Sequence, residues 1–145
     1  MDEALRAITE PLSAALKARG YRKQKLTWYR RFEDTTVVFA VQKSQFSADV
    51  WYYQYGVGIN AFYDTEIRSL SRCDVVYRLN QTLNGVRVTP EHLLRVLALW
   101  ETDYGKDLHQ LRRKAIEGKL PKMTTQRVLR YLTSGRAWLA DAQSR

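Results

Sequence analysis

The chain has 145 residues, 45% of them hydrophobic and 27% charged, with a net charge of +9 and a pI near 9.8. This composition excludes a disordered or low-complexity chain, and the length fits one domain with a sizeable core. A lone Cys73 excludes an internal disulfide framework and a cysteine-built zinc site. The first segment has Leu5, Ile8, Leu12 and Leu16 at spacings of three and four, the stripe of an amphipathic helix, with Gly20 suited to its left-handed C′ position. Pro11 removes a hydrogen bond from the middle of that helix and predicts a kink or two short helices.

Strand alternation follows. Leu26, Trp28 and Arg30 alternate with Lys25, Thr27, Tyr29 and Arg31. After a turn at Glu33-Asp34, Val37, Phe39 and Val41 point opposite to Val38, Ala40 and Gln42. From Val50 to about Phe62 the odd positions Trp51, Tyr53, Tyr55, Val57 and Ile59 form an apolar row. Tyr52, Gln54, Gly56, Gly58 and Asn60 form the other face. A strand from Val75 to Leu79 completes four. Thr89-Pro90-Glu91 then opens a helix that Gly105 stops. A second helix runs from about Asp107 to Glu117. A third starts near Thr124 or Thr125, with Gly135 a break before Trp138 and Leu139. The expected fold is α+β over residues 1–145 as one domain: an N-terminal helix, a four-stranded antiparallel meander, and C-terminal helices on one face of the sheet. Residues 1–89 make the helix and sheet core, and residues 90–145 a basic helical part.

Charge is unevenly placed. Residues 17–31 hold Lys17, Arg19, Arg22, Lys23, Lys25, Arg30 and Arg31 with no acid, and residues 110–145 are again strongly basic. Residues 32–66, by contrast, are net acidic and contain most of the aromatics. Arginine outnumbers lysine, which favours bidentate recognition of carboxylate or phosphate.

Several of these segments carry a family resemblance. Gly20-Tyr21-Arg22-Lys23 with Thr27-Trp28-Tyr29-Arg30, the strand Val37 to Ser44 ending in Gln-Lys-Ser, Tyr53 to Ile59 with its glycines, and Arg72-Cys73-Asp74 followed by Arg78-Leu79 resemble the bacterial domain of unknown function 4304 family. The resemblance covers roughly residues 5–85. It implies a helix-then-sheet fold and no catalytic residues, because no activity defines the family.

Catalytic chemistry finds little support. Gly56-Val57-Gly58-Ile59-Asn60-Ala61 imitates a dinucleotide fingerprint, but its glycines continue a strand instead of opening a helix. His92 and His109 stand in no metal-ligand spacing, so no metal is expected. Cys73 beside Arg72 is either a thiol of lowered pKa or a buried structural cysteine. Glu66 with Asp74 is a carboxylate pair that only folding would bring together. The expectation is therefore a non-enzymatic protein without cofactor. Asp2 and Glu3 at the start predict no signal peptide, and no apolar run nears the roughly 18 residues of a membrane span, so the expected compartment is the cytoplasm.

Two binding functions fit the pattern. In the first, an uncovered sheet face presents Tyr29, Arg31, Tyr52, Gln54 and Asn60, with Gly56 and Gly58 leaving a shallow recess. Gln42 and Lys43 stand at a strand end, where they either bind a partner or satisfy local backbone groups. That face suits an acidic protein partner, most concretely a toxin that the chain neutralises as an immunity-type inhibitor. In the second, Arg112, Arg113, Lys114, Arg127 and Arg130 grip nucleic-acid phosphates nonspecifically from the C-terminal helices.

Overall fold

A computed structural model describes residues 3–46, 50–83, 85–122 and 124–134. Helix α1 (Glu3–Ala18) leads through Gly20 into strands β1 (Arg22–Gln24), β2 (Thr27–Arg31), β3 (Thr35–Lys43), β4 (Trp51–Ile59) and β5 (Val75–Asn80). These form one antiparallel sheet in the order β1-β2-β3-β4-β5. A two-stranded ribbon, β6 (Thr82–Leu83) and β7 (Val86–Arg87), precedes α2 (Pro90–Trp100), a π-helical turn (Glu101–Gly105), α3 (Leu108–Ile116) and α4 (Gln126–Thr133). Thr89, Asp107 and Thr125 cap the three later helices through their side-chain oxygens. The expected break at Gly135, with Trp138 and Leu139, lies outside the described residues.

Two expectations need correction. The sheet has five strands, not four, because Arg22–Gln24 pairs with Thr27–Tyr29 around a tight turn in which Lys25 has φ 57°. All three β1 residues are exposed, so no apolar alternation marks them. In addition, α1 is one continuous helix with Pro11 inside it, since Leu5, Ile8, Leu12 and Leu16 hold both halves on the sheet. The proline is exposed and loses only one hydrogen bond.

The helices cover one side of the sheet. Trp28, Phe39, Trp51, Tyr53, Tyr55, Val57 and Ile59 are buried in a single cluster with the α1 stripe, Leu93 and Leu97 of α2, Leu111 of α3, and Val128 and Leu132 of α4. Polar tips inside this cluster find partners. The Tyr55 hydroxyl donates to the Leu93 carbonyl at 2.9 Å, Trp100 Nε1 donates to the Gly56 carbonyl at 3.2 Å, and Trp51 Nε1 donates to the Tyr53 hydroxyl at 2.8 Å.

The π turn brings Glu101 inward, closed by a Lys106 N–H bond to the Glu101 carbonyl at 2.9 Å. Its buried carboxylate accepts from the Tyr21 hydroxyl at 2.8 Å and from Arg19 Nη2 at 3.1 Å, and Arg30 stands 3.9 Å from its other oxygen. Burial, and then Glu101, push the Tyr21 phenol well above its ordinary value. This network ties the α1–β1 turn to the end of α2.

Candidate functional site

The second side of the sheet decides where a partner can reach. Its side chains are fixed by register: Gln24, Thr27, Ala40, Gln54 and Arg78 make one transverse row, and Gln42, Tyr52 and Asn80 the next. Toward the other end lie Tyr29, Val38 and Gly56, then Arg31, Thr36 and Gly58.

That end is not open. Residues 60–74 cross it as a strap. Ile67 packs with Tyr29 and Val38 in a small buried cluster flanked by Tyr63, Leu70 and Cys73. A Cβ at Gly56 would stand 2.6 Å from Cys73 Sγ, and one at Gly58 the same distance from Ile67 Cδ1. The recess expected over the two glycines is thus filled by the chain itself.

The strap is anchored at both ends. Asn60 Nδ2 donates to the carbonyls of Phe32 at 3.1 Å and Thr35 at 3.3 Å, while its Oδ1 accepts from Thr36 Oγ1 at 2.7 Å. Asp74 accepts from the Ile59 N–H at 2.7 Å and from the Tyr63 hydroxyl at 2.9 Å. Burial holds the Asp74 carboxyl above its ordinary value, and burial with the Asp74 bond pushes Tyr63 up to about 12. Cys73, over Gly56, is likewise pushed far up by burial and then by Asp74, which makes it a poor nucleophile.

The expected binding residues therefore divide. Tyr52, Gln42 and Gln54 come together on the open end, where Gln54 donates its amide to Gln42 and the Arg78 guanidinium lies 4.7 Å over the Tyr52 ring. Gln54 itself is only 7% exposed, so it presents an edge and not a whole side chain. Tyr29 is buried under the strap and Asn60 is spent on anchoring it; neither lies on an open face. Lys43 has the opposite parity, since it pairs with the inward-facing Trp51, and points away from Tyr52 and Gln54. Arg31 is exposed beside the strap.

Two polar grooves flank the strap and share Glu66 as a wall. One, of about 420 Å³, is lined by Gly20, Arg22, Tyr29, Arg30, Arg31 and Glu66. The other, of about 360 Å³, is lined by Gln24, Thr65, Glu66, Arg68, Ser69 and Arg72. Five arginines thus line the two grooves, with Glu66 the acid among their lining residues. Arg68 holds Glu66 at 3.2 Å, and Arg72 donates to the Thr65 hydroxyl and lies over the Tyr63 ring. Sequence reasoning placed Arg22 and Arg30 in a charge block and in segments of the family resemblance, and Arg72 beside Cys73, but assigned none of them to a groove and did not register Arg68, because nothing local says that the strap folds back beside β1 and β2.

The basic helical set is partly absorbed by packing. Arg112, in place of a phosphate contact, is 4% exposed and donates to the Tyr131 carbonyl at 3.2 Å. Lys114 lies over Tyr104 and Arg127 over Phe62, while Arg113 and Arg130 are exposed. A separate apolar groove of about 350 Å³ runs between Tyr77 of β5, Leu99 and Trp100, Tyr104 and Leu120. Among the described residues no three of His, Cys, Asp and Glu gather to hold a metal, and no helix is long and apolar enough to cross a membrane.

The model of a family described as a domain of unknown function (DUF4304) matches residues 12–123. The chain belongs to the DUF4304 family. No curated protein and no solved structure matches it. The DUF4304 match runs past the sheet and through α2, the π turn and α3, farther than the resemblance read up to residue 85. Strap, grooves and the Tyr52 patch all lie within the shared domain, whereas α4 lies outside it.

Proposed function

We propose that this DUF4304 protein is a non-enzymatic binding module, most concretely an immunity-type inhibitor that neutralises a toxin by binding an acidic surface of that toxin. One observation carries the reading. The strap side of the sheet presents a run of Tyr, Arg and amide side chains, from Tyr52, Arg78 and Gln42 to the arginine-lined grooves, on strands held rigid by the core behind them. Tyrosine and arginine anchors on a rigid support are what protein interfaces enrich, and little entropy is lost in ordering a tyrosine. The net +9 charge adds long-range attraction to an acidic partner.

The nucleic-acid alternative rests on Arg113, Lys114, Arg127 and Arg130, with Arg112 withdrawn into the α3–α4 contact. It predicts binding whose logarithm falls linearly with log salt, by about 0.7–0.9 per phosphate contacted.

A growth assay tests the reading. The product of the adjoining reading frame should arrest growth when expressed alone and should be silenced by this chain. Tyr52→Ala should weaken the complex by about thirtyfold, the loss of an interface anchor worth about 2 kcal/mol. Unchanged affinity in Tyr52→Ala contradicts the placement of the interface, and absence of any silencing contradicts the inhibitor.

A further inference from the structure

The two grooves beside the strap contain more cation than the fold uses. Glu101 engages Arg19 and stands near Arg30, and Glu66 and Thr65 engage Arg68 and Arg72. Among the described residues, Arg22 and Arg31 have neither a carboxylate nor a hydrogen-bond partner. Register places them on one face. Arg22 pairs with Tyr29, so Arg31, two residues on, is its diagonal neighbour, roughly 7–8 Å away across the strands. Both are exposed and both line the larger groove. The β1 strand begins at Arg22, and Gly20, at φ +90°, adds no side chain to the groove. Two like charges set side by side, with Glu66 as the acid in their groove and already held by Arg68, cost the free protein some stability, which a bound anion removes.

We propose that these twin grooves seat an acidic segment of a protein partner, with one Asp or Glu carboxylate held between Arg22 and Arg31 and the flanking peptide laid along Gln24, Thr65 and Ser69. This rests on the binding-module reading and names the chemistry its partner must present. The lining fits a carboxylate. The donors are planar guanidinium forks, which match a carboxylate bidentately. The wall between the grooves already holds one carboxylate, Glu66 on Arg68 at 3.2 Å. The negative charge of Glu66 also penalises a dianionic phosphate more than a monoanionic side chain. The smaller groove, with Arg68 and Arg72 engaged, offers amide and hydroxyl groups suited to a peptide backbone.

The test uses the full chain and a fluorescein-labelled peptide of Glu-Ser-Gly repeats, with the Gln-Ser-Gly peptide, inorganic phosphate and random-sequence RNA as comparisons. The Glu peptide should bind and the Gln peptide should not. The double variant Arg22→Gln/Arg31→Gln should weaken binding about tenfold or more, whereas Arg113→Gln/Arg130→Gln, on the opposite layer, should change it less than about twofold. Both pairs are exposed, so neither double variant should lower the thermal melt. Equal weakening by the two double variants, no binding at roughly millimolar peptide, or phosphate or RNA displacing the Glu peptide through Arg22 and Arg31 overturns the proposal. The two readings fail separately. Loss of growth rescue with peptide binding intact removes only the toxin partner, while undiminished rescue by the Arg22/Arg31 variant removes the grooves and leaves the inhibitor.

Discussion

Gly58 sits on β4 beneath the strap, and any side chain there must displace its neighbours. A Cβ would lie 2.6 Å from Ile67 Cδ1 and 2.7 Å from the Arg72 carbonyl oxygen. Ile67 is 1% exposed and the carbonyl is backbone, so neither moves away by a free rotation. Gly58→Ala should therefore cost about 1–3 kcal/mol through overpacking. That loss should appear as a lower urea midpoint at unchanged denaturant slope. A neutral or stabilising substitution would mean the strap does not rest on the sheet. The sequence marks half of this arrangement: two glycines at alternate strand positions signal a close approach to the backbone. What approaches is not legible, because Ile67, Leu70 and Cys73 stand in irregular chain whose spacing follows neither the period of a helix nor that of a strand.

At the scale of elements, legibility follows periodicity and capping. The β4 alternation placed Trp51, Tyr53, Tyr55 and Val57 on the helix side, and all are buried there. Thr89-Pro90, Asp107 and Thr125 mark the helix starts because side-chain oxygens there satisfy orphan N–H groups. The element that escaped, β1, is three exposed residues of the basic block, held by pairing with β2 and by the Glu101 network behind the α1–β1 turn. Of the kink or two short helices that Pro11 predicted, the two short helices do not occur, since burial of four α1 side chains outweighs one lost hydrogen bond. The face expected to be uncovered is open at Tyr52 and closed at Tyr29, which a segment thirty-odd residues downstream covers. The grooves arise from that long-range return, which is why nothing local put Arg68 and Arg72 in them.

Across the whole molecule, charge and burial make two separate demands. Tyr21 and Tyr55 are phenols that burial pushes above their ordinary 10.0, and Tyr63 is raised to about 12. A folded-state value above the unfolded one means the native state keeps protons that the unfolded chain has released. Stability is then full below about pH 10 and falls as pH rises through and beyond it, by up to about 1.4 kcal/mol per pH unit for each fully buried phenol. Tyr63, half-buried, adds less because solvent screens it. Urea midpoints should be flat near neutrality and decline steeply above roughly pH 10; a flat alkaline limb would contradict the burial of these hydroxyls. The other demand is the partner. The central claim is that recognition takes place on the strap side of the sheet and not on the basic helices. A chemical-shift map of the isotope-labelled protein titrated with the Glu-Ser-Gly peptide tests it most directly. The account predicts perturbed amides along Arg22, Gln24, Arg31, Glu66, Ser69 and Arg72, with Arg113 and Arg130 unmoved. Perturbations confined to α3 and α4 would contradict it.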